Sequence, residues 1–125
     1  MIVGLGVDIA EVQRVRAAIE RRGAAFLKRL FTPAEIAYCE GHRNRYERYA
    51  GRFAAKEAAM KALGTGWGNG VRWVDIEVTR NSAGKPSLRL TGRARELAER
   101  LAVRNISLTI THSGNTALAQ VIFES

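Results

Sequence analysis

Two charged residues in an alanine-rich segment, Glu57 and Lys61, have the types and spacing that phosphate chemistry uses. They lie in the run 52–64, which has no internal Gly or Pro before Gly64, so we expect the second half of a helix. Four residues make about one helical turn, so the two side chains are neighbours between a bulky apolar side and a side of alanines. They could hold a cation and a phosphate, or form an ordinary surface ion pair, and the pair alone leaves both open.

A second carboxylate, Asp8, ends a segment with the alternation of a β-strand. Residues 1–9 place Val3, Leu5, Val7 and Ile9 on one face, whereas the opposite face carries Gly4 and Gly6 before Asp8. Glycines allow another backbone or a ligand to approach closely. The carboxylate that follows them could bind a metal or cap the next helix, and this segment alone does not decide between these roles.

The remaining pattern predicts one α+β domain over residues 1–125, with a mainly antiparallel sheet and packed helices. Thr32, Pro33 and Glu35 form a helix-start signal in which Thr32 caps and Glu35 closes a capping box. The predicted helices are 11–22, 32–40, the central helix and 92–102, and residues 26–31 form a short amphipathic turn. The predicted strands are 1–9, 73–79, 87–90, 106–112 and 116–124. The glycine-rich residues 64–70 are expected to form a loop.

The chain is basic, with 20 Lys+Arg, 12 Asp+Glu and a formal net charge of +8, which favours an anionic partner. Its single cysteine, Cys39, is interpreted as a small buried residue and fits a reducing compartment. No signal peptide or membrane span is predicted, so we expect a cytoplasmic protein.

Arginines concentrate in two segments. On the predicted first helix, Arg14 and Arg21 lie opposite the apolar stripe, where they could keep the helix soluble or dock an acidic surface. Residues 43–52 contain four further arginines, which could form a solvated face or donate to phosphates. Their continuity with the Glu57 and Lys61 segment favours the second interpretation.

Several motifs together resemble the holo-acyl-carrier-protein synthases, the small phosphopantetheinyl transferases, over essentially the whole chain. The motifs are Gly4-Leu5-Gly6-Val7-Asp8-Ile9, Arg52-Phe53-Ala54-Ala55-Lys56-Glu57-Ala58-Ala59-Met60-Lys61-Ala62, Gly64-Thr65-Gly66, Gly84-Lys85-Pro86 and Thr111-His112-Ser113. The Asp8 motif is weak alone, but it is specific when it is paired with the Lys-Glu-Ala-x-x-Lys helix at this separation. Thr116 departs from the pattern, since many relatives carry a tyrosine there.

The resemblance implies transfer of 4′-phosphopantetheine from coenzyme A to a serine of apo-acyl carrier protein, with release of adenosine 3′,5′-bisphosphate. It implies that Asp8 and Glu57 hold Mg²⁺ and that Lys61 neutralises phosphate charge. Glu57 is also a candidate to accept the serine proton. Both catalytic assignments, Glu57 and Lys61, come from this resemblance.

The resemblance also implies the binding surfaces and the assembly. The expected coenzyme A contacts are Arg43, Arg45, Arg52, Lys61, Gly64, Gly84, Lys85, Pro86, His112 and Ser113. The expected contacts of the acidic acyl carrier protein are Arg14, Arg21, Arg22 and Phe26. Short members of the family are trimers with active sites between neighbouring chains, so a homotrimer is expected.

Two other functions are compatible with parts of the pattern. A basic nucleic-acid-binding module would need aromatic residues interleaved with the basic ones, and only Tyr46 and Tyr49 stand among the arginines. A carrier-protein binder without catalysis is the other alternative, and the intact Asp8, Glu57 and Lys61 argue against it.

Overall fold

The computed structural model describes residues 1–66 and 68–125 and shows an α+β architecture. The strands are β1 (Ile2–Glu11), β2 (Ile76–Arg80), β3 (Pro86–Leu90), β4 (Asn105–Ser113) and β5 (Thr116–Glu124). The helices are α1 (Val12–Arg22), α2 (Ala24–Leu30), α3 (Pro33–Glu40), α4 (Arg45–Leu63) and α5 (Gly92–Arg100). The antiparallel pairing expected from the sequence is confirmed, but the strands of the described residues divide into a sheet of order β1-β5-β4 and a β2-β3 hairpin.

The central helix α4 lies directly against β1 because the facing strand residues are glycines. A Cβ atom added at Gly6 would lie 1.8 Å from the carbonyl oxygen of Ala58, and one at Gly4 would lie 2.3 Å from that of Ala62. Both distances are far below van der Waals contact, so no other residue fits without moving the helix. The alanines of α4, including Ala54, are buried in this contact and complete the main core. The glycine face of β1 and the alanine side of α4 therefore bring Asp8 beside α4.

A buried ion pair joins α3 to α4 and the β2-β3 hairpin. Lys56 and Glu35 are both fully buried, and the Lys56 Nζ atom donates to Glu35 Oε1 at 2.8 Å. The ammonium also donates to the carbonyl oxygens of Trp73 and Ile76, and the carboxylate accepts from the backbone N–H of Val78 at 2.8 Å. Burial lowers the pKa of Lys56, and the charge of Glu35 opposes this shift. Because every partner is satisfied, the pair can be retained in the core.

The helix-start prediction at Thr32 is confirmed. The Thr32 hydroxyl accepts from the Glu35 N–H, and the Glu35 carboxylate accepts from the Thr32 N–H at 2.8 Å, which completes the capping box. The Glu35 carboxylate therefore has a second role that the capping signal does not reveal, since it also pairs with Lys56.

Two local expectations differ from the structure, and one falls partly outside the described residues. Trp73–Asp75 form a 3₁₀-helix rather than the start of a strand, because Asp75 turns back to accept from the backbone N–H of Arg72. The amphipathic turn over 26–31 is the helix α2. Within the predicted loop 64–70, Trp67 lies outside the described residues.

No helix in the described ranges has the length and hydropathy needed to cross a bilayer.

Candidate active site

Asp8 and Glu57 meet in one cavity, which we call the carboxylate cavity. It is lined by Asp8, Ile9, Ala10, Glu11, Arg14, Val15, Phe53 and Glu57, and its volume is about 300 Å³. Asp8 reaches it from the glycine face of β1, and Glu57 comes from the adjoining surface of α4. The Lys61 Nζ atom, one turn further along α4, donates to Asp8 Oδ1 at 2.8 Å and to the Val7 carbonyl at 3.0 Å.

Electrostatics in the carboxylate cavity favour a cation between the two acids. Burial raises the pKa of Glu57, and the nearby charge of Asp8 and a hydrogen bond to it raise the pKa further, while Lys61 opposes the shift. The hydrogen bond to Asp8 raises the pKa of Lys61, so the amine stays charged. Lys61 is half exposed, so its charge can reach a bound phosphate.

The donor set of this cavity fits a hard divalent ion such as Mg²⁺. Two carboxylates from different elements face one another, and their mutual repulsion is relieved when a cation lies between them. Within the described ranges, no group of three or more His, Cys, Asp or Glu side chains forms a complete metal site. Mg²⁺ usually takes one or two protein carboxylates and completes its shell with waters and substrate phosphates, so Asp8 and Glu57 would suffice as its protein ligands.

An apolar cavity of about 190 Å³ adjoins the carboxylate cavity between α1, α2 and α4. It shares Arg14, Val15 and Phe53 with that cavity and is otherwise lined by Ala18, Phe26 and Leu30. Arg14 is exposed, and the Arg22 guanidinium lies 5.1 Å from the centre of the Phe26 ring. Arg14 thus lines the cavity that contains the two acidic residues, Phe26 lines the adjoining one, and Arg21 and Arg22 are exposed further along α1.

A second cavity, which we call the arginine cavity, has a volume of about 180 Å³. It is lined by Tyr38, Arg48, Arg52, Arg80, Gly84, Pro86, Ile110 and His112. The structure therefore brings together four of the predicted coenzyme A contacts, Arg52, Gly84, Pro86 and His112. Sequence reasoning did not assign Tyr38, Arg48 or Arg80 to the site.

Arg52 is the most buried charge of the arginine cavity, with 4% of its surface exposed. Burial lowers its pKa, and the charges of Arg80 and Arg48 act in the same direction. Its guanidinium lies 4.2 Å from the centre of the Tyr38 ring, and no carboxylate of the described residues forms an ion pair with it. A concentration of positive charge without an acidic partner is an anion-binding environment.

His112 reaches the arginine cavity because α4 has a glycine opposite it. A Cβ at Gly51 would lie 3.0 Å from the His112 Nε2 atom, so a larger residue would crowd the ring in this position. The Nε2 atom is 2.9 Å from the carbonyl oxygen of Glu47. A carbonyl can only accept, so Nε2 carries the proton of this hydrogen bond and the ring is held against α4.

The other predicted coenzyme A contacts lie outside both cavities. Arg43, Arg45, Gly64, Lys85 and Ser113 are exposed, and their roles stay predictions. Arg45 is 3.9 Å from Glu40 and lies over the ring of Tyr46 at 4.7 Å. Gly64 has a φ of 79° and ends α4 in the left-handed conformation that favours glycine.

The two aromatic residues considered for nucleic-acid binding are not free for base stacking. Tyr49 is fully buried, and its hydroxyl donates to Glu40 at 2.7 Å. The Tyr46 ring is covered by the guanidinium groups of Arg16 at 5.1 Å and Arg45 at 4.7 Å. The arginine-rich start of α4 therefore has no open stacking platform in its described residues.

The interpretation of Cys39 as a small buried residue is confirmed. The side chain is fully buried, and burial raises the pKa of its thiol to about 12. A thiol held in its neutral form is a poor nucleophile, so the chemistry of the site does not involve it.

The missed residues gave unequal signals in the sequence. Arg48 stands one helical turn before Arg52, so i,i+4 spacing could have placed it on the same side of α4. Tyr38 and Arg80 belong to α3 and β2, and no local spacing links either of them to Arg52. Their meeting depends on the tertiary contact that the Glu35–Lys56 pair stabilises.

Comparisons with known proteins identify the family of this chain. A family model described as the 4′-phosphopantetheinyl transferase superfamily matches residues 4–120. The holo-[acyl-carrier-protein] synthase of Solibacter usitatus (strain Ellin6076) is 58% identical over 125 residues, which cover 100% of each chain.

Two solved structures extend the agreement to the fold. The holo-[acyl-carrier-protein] synthase from Neisseria meningitidis has a TM-score of 0.91 at 32% identity and covers 100% of each chain. The enzyme of the same name from Bacillus anthracis str. Ames, in complex with CoA (3′,5′-ADP), has a TM-score of 0.82 at 38% identity, covering 100% of this chain and 98% of that chain. The chain therefore belongs to the 4′-phosphopantetheinyl transferase superfamily and, within it, to the holo-[acyl-carrier-protein] synthases.

Proposed function

We propose that this protein transfers 4′-phosphopantetheine from coenzyme A to a serine hydroxyl of apo-acyl carrier protein. The observation that carries the proposal is that Asp8 and Glu57 line one cavity while Lys61 pairs with Asp8, in a chain that belongs to the holo-[acyl-carrier-protein] synthases. In the reaction the serine oxygen bonds to the phosphorus that bears the pantetheine. The bond from that phosphorus to the bridging pyrophosphate oxygen breaks, and its electron pair leaves with adenosine 3′,5′-bisphosphate.

The side chains of the carboxylate cavity match the charges that this reaction develops. Asp8 and Glu57 are the residues that would hold Mg²⁺, and a bound Mg²⁺ would offset the charge of the pyrophosphate. The Lys61 ammonium, which is half exposed, places a positive charge where the departing phosphate gains negative charge. Glu57 lines the cavity beside the docking side, so we assign it the serine proton.

The arginine cavity is proposed to bind the nucleotide phosphates of coenzyme A. Its three guanidinium groups supply forked donors of the kind that phosphates accept. Arg48 and Glu57 are nine residues apart on α4, which turns them about 180° from each other around the helix axis. The two cavities share no lining residue and face away from one another. One chain is thus ill placed to offer both cavities to a single coenzyme A, which supports sites formed between copies.

A homotrimer is proposed on the same grounds. The strand face opposite the glycines leaves Leu5, Val7 and Ile9 exposed at 56%, 48% and 60%. These side chains lie on an edge strand, with Leu118 and Ile122 of β5 as their neighbours. A contiguous apolar sheet face of this kind is typical of a protein interface. Its burial between three copies would bring the carboxylate cavity of one copy toward the arginine cavity of the next.

Acyl carrier protein is proposed to dock on α1 and the adjoining apolar cavity. The exposed Arg14, Arg21 and Arg22 present positive charge to an acidic partner, and Phe26 lines the apolar cavity next to Asp8 and Glu57. A serine presented from that side has the carboxylate cavity directly beside it.

Mass spectrometry of apo-acyl carrier protein incubated with this protein, coenzyme A and Mg²⁺ tests the proposal. We expect the carrier to gain the mass of one phosphopantetheine group and adenosine 3′,5′-bisphosphate to form in equal amount. A carrier whose acceptor serine is replaced by alanine is the control and should gain nothing. Absence of the adduct with a wild-type carrier, when coenzyme A and Mg²⁺ are saturating, would contradict the proposal.

A further inference from the structure

Tyr38 occupies the middle of the arginine cavity, although no motif marks it. Its ring centre lies 4.2 Å from the Arg52 guanidinium and 4.5 Å from that of Arg80. Its hydroxyl accepts from Arg48 NH1 at 3.2 Å. One side chain from α3 therefore contacts a guanidinium from β2 and two from α4.

These three arginines repel one another, and no carboxylate of the described residues forms an ion pair with them, although Glu35 and Glu77 line an adjoining cavity with Arg52 and Arg80. The charges of Arg80 and Arg48 both lower the pKa of Arg52. The other polar contacts of the cluster are neutral, since Arg80 Nε donates to the Gly84 carbonyl at 3.3 Å and Arg48 Nε donates to Asn44 Oδ1 at 3.4 Å. Something other than ion pairing must keep the three guanidinium groups together in the absence of a ligand.

A tyrosine can do this without consuming the positive charge. The negative face of an aromatic ring attracts a guanidinium, while the N–H donors in the guanidinium plane remain able to bind an anion. A carboxylate at the same place would order the arginines equally well but would neutralise one charge and occupy its donors. The ring of Tyr38 therefore orders the cluster and leaves it cationic.

Tyr38 is itself fixed by the buried network of α3. Glu35, one turn earlier on the helix, forms the fully buried pair with Lys56, and the Tyr38 carbonyl oxygen accepts from His42 Nδ1 at 2.7 Å. The Tyr38 ring also lies 4.6 Å from the His42 ring. The Tyr38 ring is thus held by a helix, α3, that the Glu35–Lys56 pair anchors to the core.

We infer that Tyr38 is a positioning residue that holds Arg48, Arg52 and Arg80 as one preformed phosphate-binding cluster. The inference rests on the proposed function, because it assigns the nucleotide phosphates of coenzyme A to this cluster. Preordering of the arginines reduces the entropy that is lost when the phosphates bind.

Calorimetric titration with adenosine 3′,5′-bisphosphate tests the inference without turnover. Tyr38→Leu removes the ring, and we expect the dissociation constant to rise about tenfold. Tyr38→Phe is the matched control, because it keeps the ring and removes only the hydrogen bond to Arg48, and we expect a rise of about two- to threefold. Unchanged binding to Tyr38→Leu, or no binding to the wild-type protein, would overturn the inference.

Steady-state transfer kinetics distinguish positioning from a general structural effect. In Tyr38→Leu we expect the KM for coenzyme A to rise about tenfold, while kcat and the KM for carrier protein change less than about twofold. A loss of kcat with an unchanged KM for coenzyme A would contradict the assignment. Tyr38 is only partly buried, so both variants should fold; should Tyr38→Leu unfold below the assay temperature, Tyr38→Met takes its place.

The outcomes separate the inference from the function on which it rests. A wild-type protein that binds the bisphosphate through a Tyr38-dependent cluster, yet transfers nothing to apo-acyl carrier protein, would overturn the proposed function and support the cluster. Normal transfer by the wild-type protein together with full bisphosphate affinity in Tyr38→Leu would overturn only the inference.

Discussion

The carboxylate cavity and the arginine cavity organise charge in opposite ways. In the first, Asp8, Glu57 and Lys61 lie on two elements in direct contact, and acid and base are paired at 2.8 Å. In the second, arginines from α4 and β2 gather around Tyr38 with no carboxylate among the cavity-lining residues. One cavity combines both signs of charge where a strand and a helix meet, whereas the other concentrates a single sign of charge.

This difference indicates a division of chemical work. A reacting phosphate needs a cation-binding pair of acids, a proton acceptor and a nearby ammonium, so mixed charge suits the carboxylate cavity. The part of a nucleotide that only binds needs fixed positive charge, so an unpaired cluster suits the arginine cavity. Substitutions in the first should therefore act mainly on kcat, and substitutions in the second mainly on the KM for coenzyme A.

The largest expected effect is loss of the acids in the carboxylate cavity. Asp8→Asn and Glu57→Gln keep side-chain shape but remove the charges that would hold Mg²⁺, so we expect kcat to fall about a hundredfold or more. Transfer is measured by mass spectrometry over a range of Mg²⁺ concentrations, and thermal unfolding serves as the check on folding. Near-normal turnover of either variant at limiting Mg²⁺ would show that the metal assignment is wrong.

Loss of the buried pair beneath the arginine cavity should have the next largest effect. Lys56→Met leaves Glu35 buried without its cation, and we expect the free energy of unfolding to fall by about 3–5 kcal/mol. Chemical denaturation measures this change. The double variant Lys56→Met with Glu35→Gln is the matched control and should recover part of the loss, because the amide oxygen can still accept from the Val78 N–H. A loss below about 1 kcal/mol in Lys56→Met would contradict the structural role of the pair.

Local patterns placed the side chains of the carboxylate cavity on their elements, whereas the meeting of Asp8 with Glu57 was expected only from the family resemblance. The alternation in β1 and the i,i+4 spacing of Glu57 and Lys61 each place a side chain without knowledge of the rest of the fold. Gly4 and Gly6 also indicate that something approaches β1 closely. They do not say that this neighbour is α4, and only the structure shows the carbonyl oxygens of α4 in that space.

Only half of the residues that line the arginine cavity were predicted, because tertiary contacts rather than local sequence patterns bring them together. Arg52, Gly84, Pro86 and His112 were assigned through family resemblance, not through spacing. The partnership of Lys56 with Glu35 joins positions 21 residues apart, and nothing local specifies it. Because the sequence does not reveal this contact, it does not give the position of α3 relative to α4. Tyr38 and Arg80 therefore cannot be placed beside Arg52 from the sequence alone.

Mixed assemblies provide a test of whether the two cavities act across copies. Asp8→Asn inactivates the carboxylate cavity of one chain, and Arg52→Gln weakens the arginine cavity of the other. In a trimer whose sites lie between copies, every mixed assembly contains one site with both halves intact, so we expect about one third of wild-type transfer activity. The two variants are co-expressed with different tags and purified through both.

Two outcomes of the mixing experiment separate the models. Activity well above that of either pure variant would support sites between copies. Activity no higher than the mean of the two parents would show that each chain completes its own site, and the proposed composite arrangement would then be wrong.

The smallest expected effects are those of substitutions on the exposed surface of α1, because solvent weakens the electrostatic attraction between this surface and the carrier protein. Arg21→Glu should raise the KM for carrier protein about three- to tenfold and leave the KM for coenzyme A nearly unchanged, because Arg21 is exposed and lines neither cavity. Arg14→Glu should do the same and also lower kcat, since Arg14 lines the carboxylate cavity. Arg95→Glu on α5 makes the same charge change at a site away from α1 and is the matched control.

Added salt should reduce the effect of Arg21→Glu, because exposed charges are screened over about 10 Å at 0.1 M ionic strength. Equal increases in the KM for carrier protein and for coenzyme A would mean that α1 does not dock the carrier.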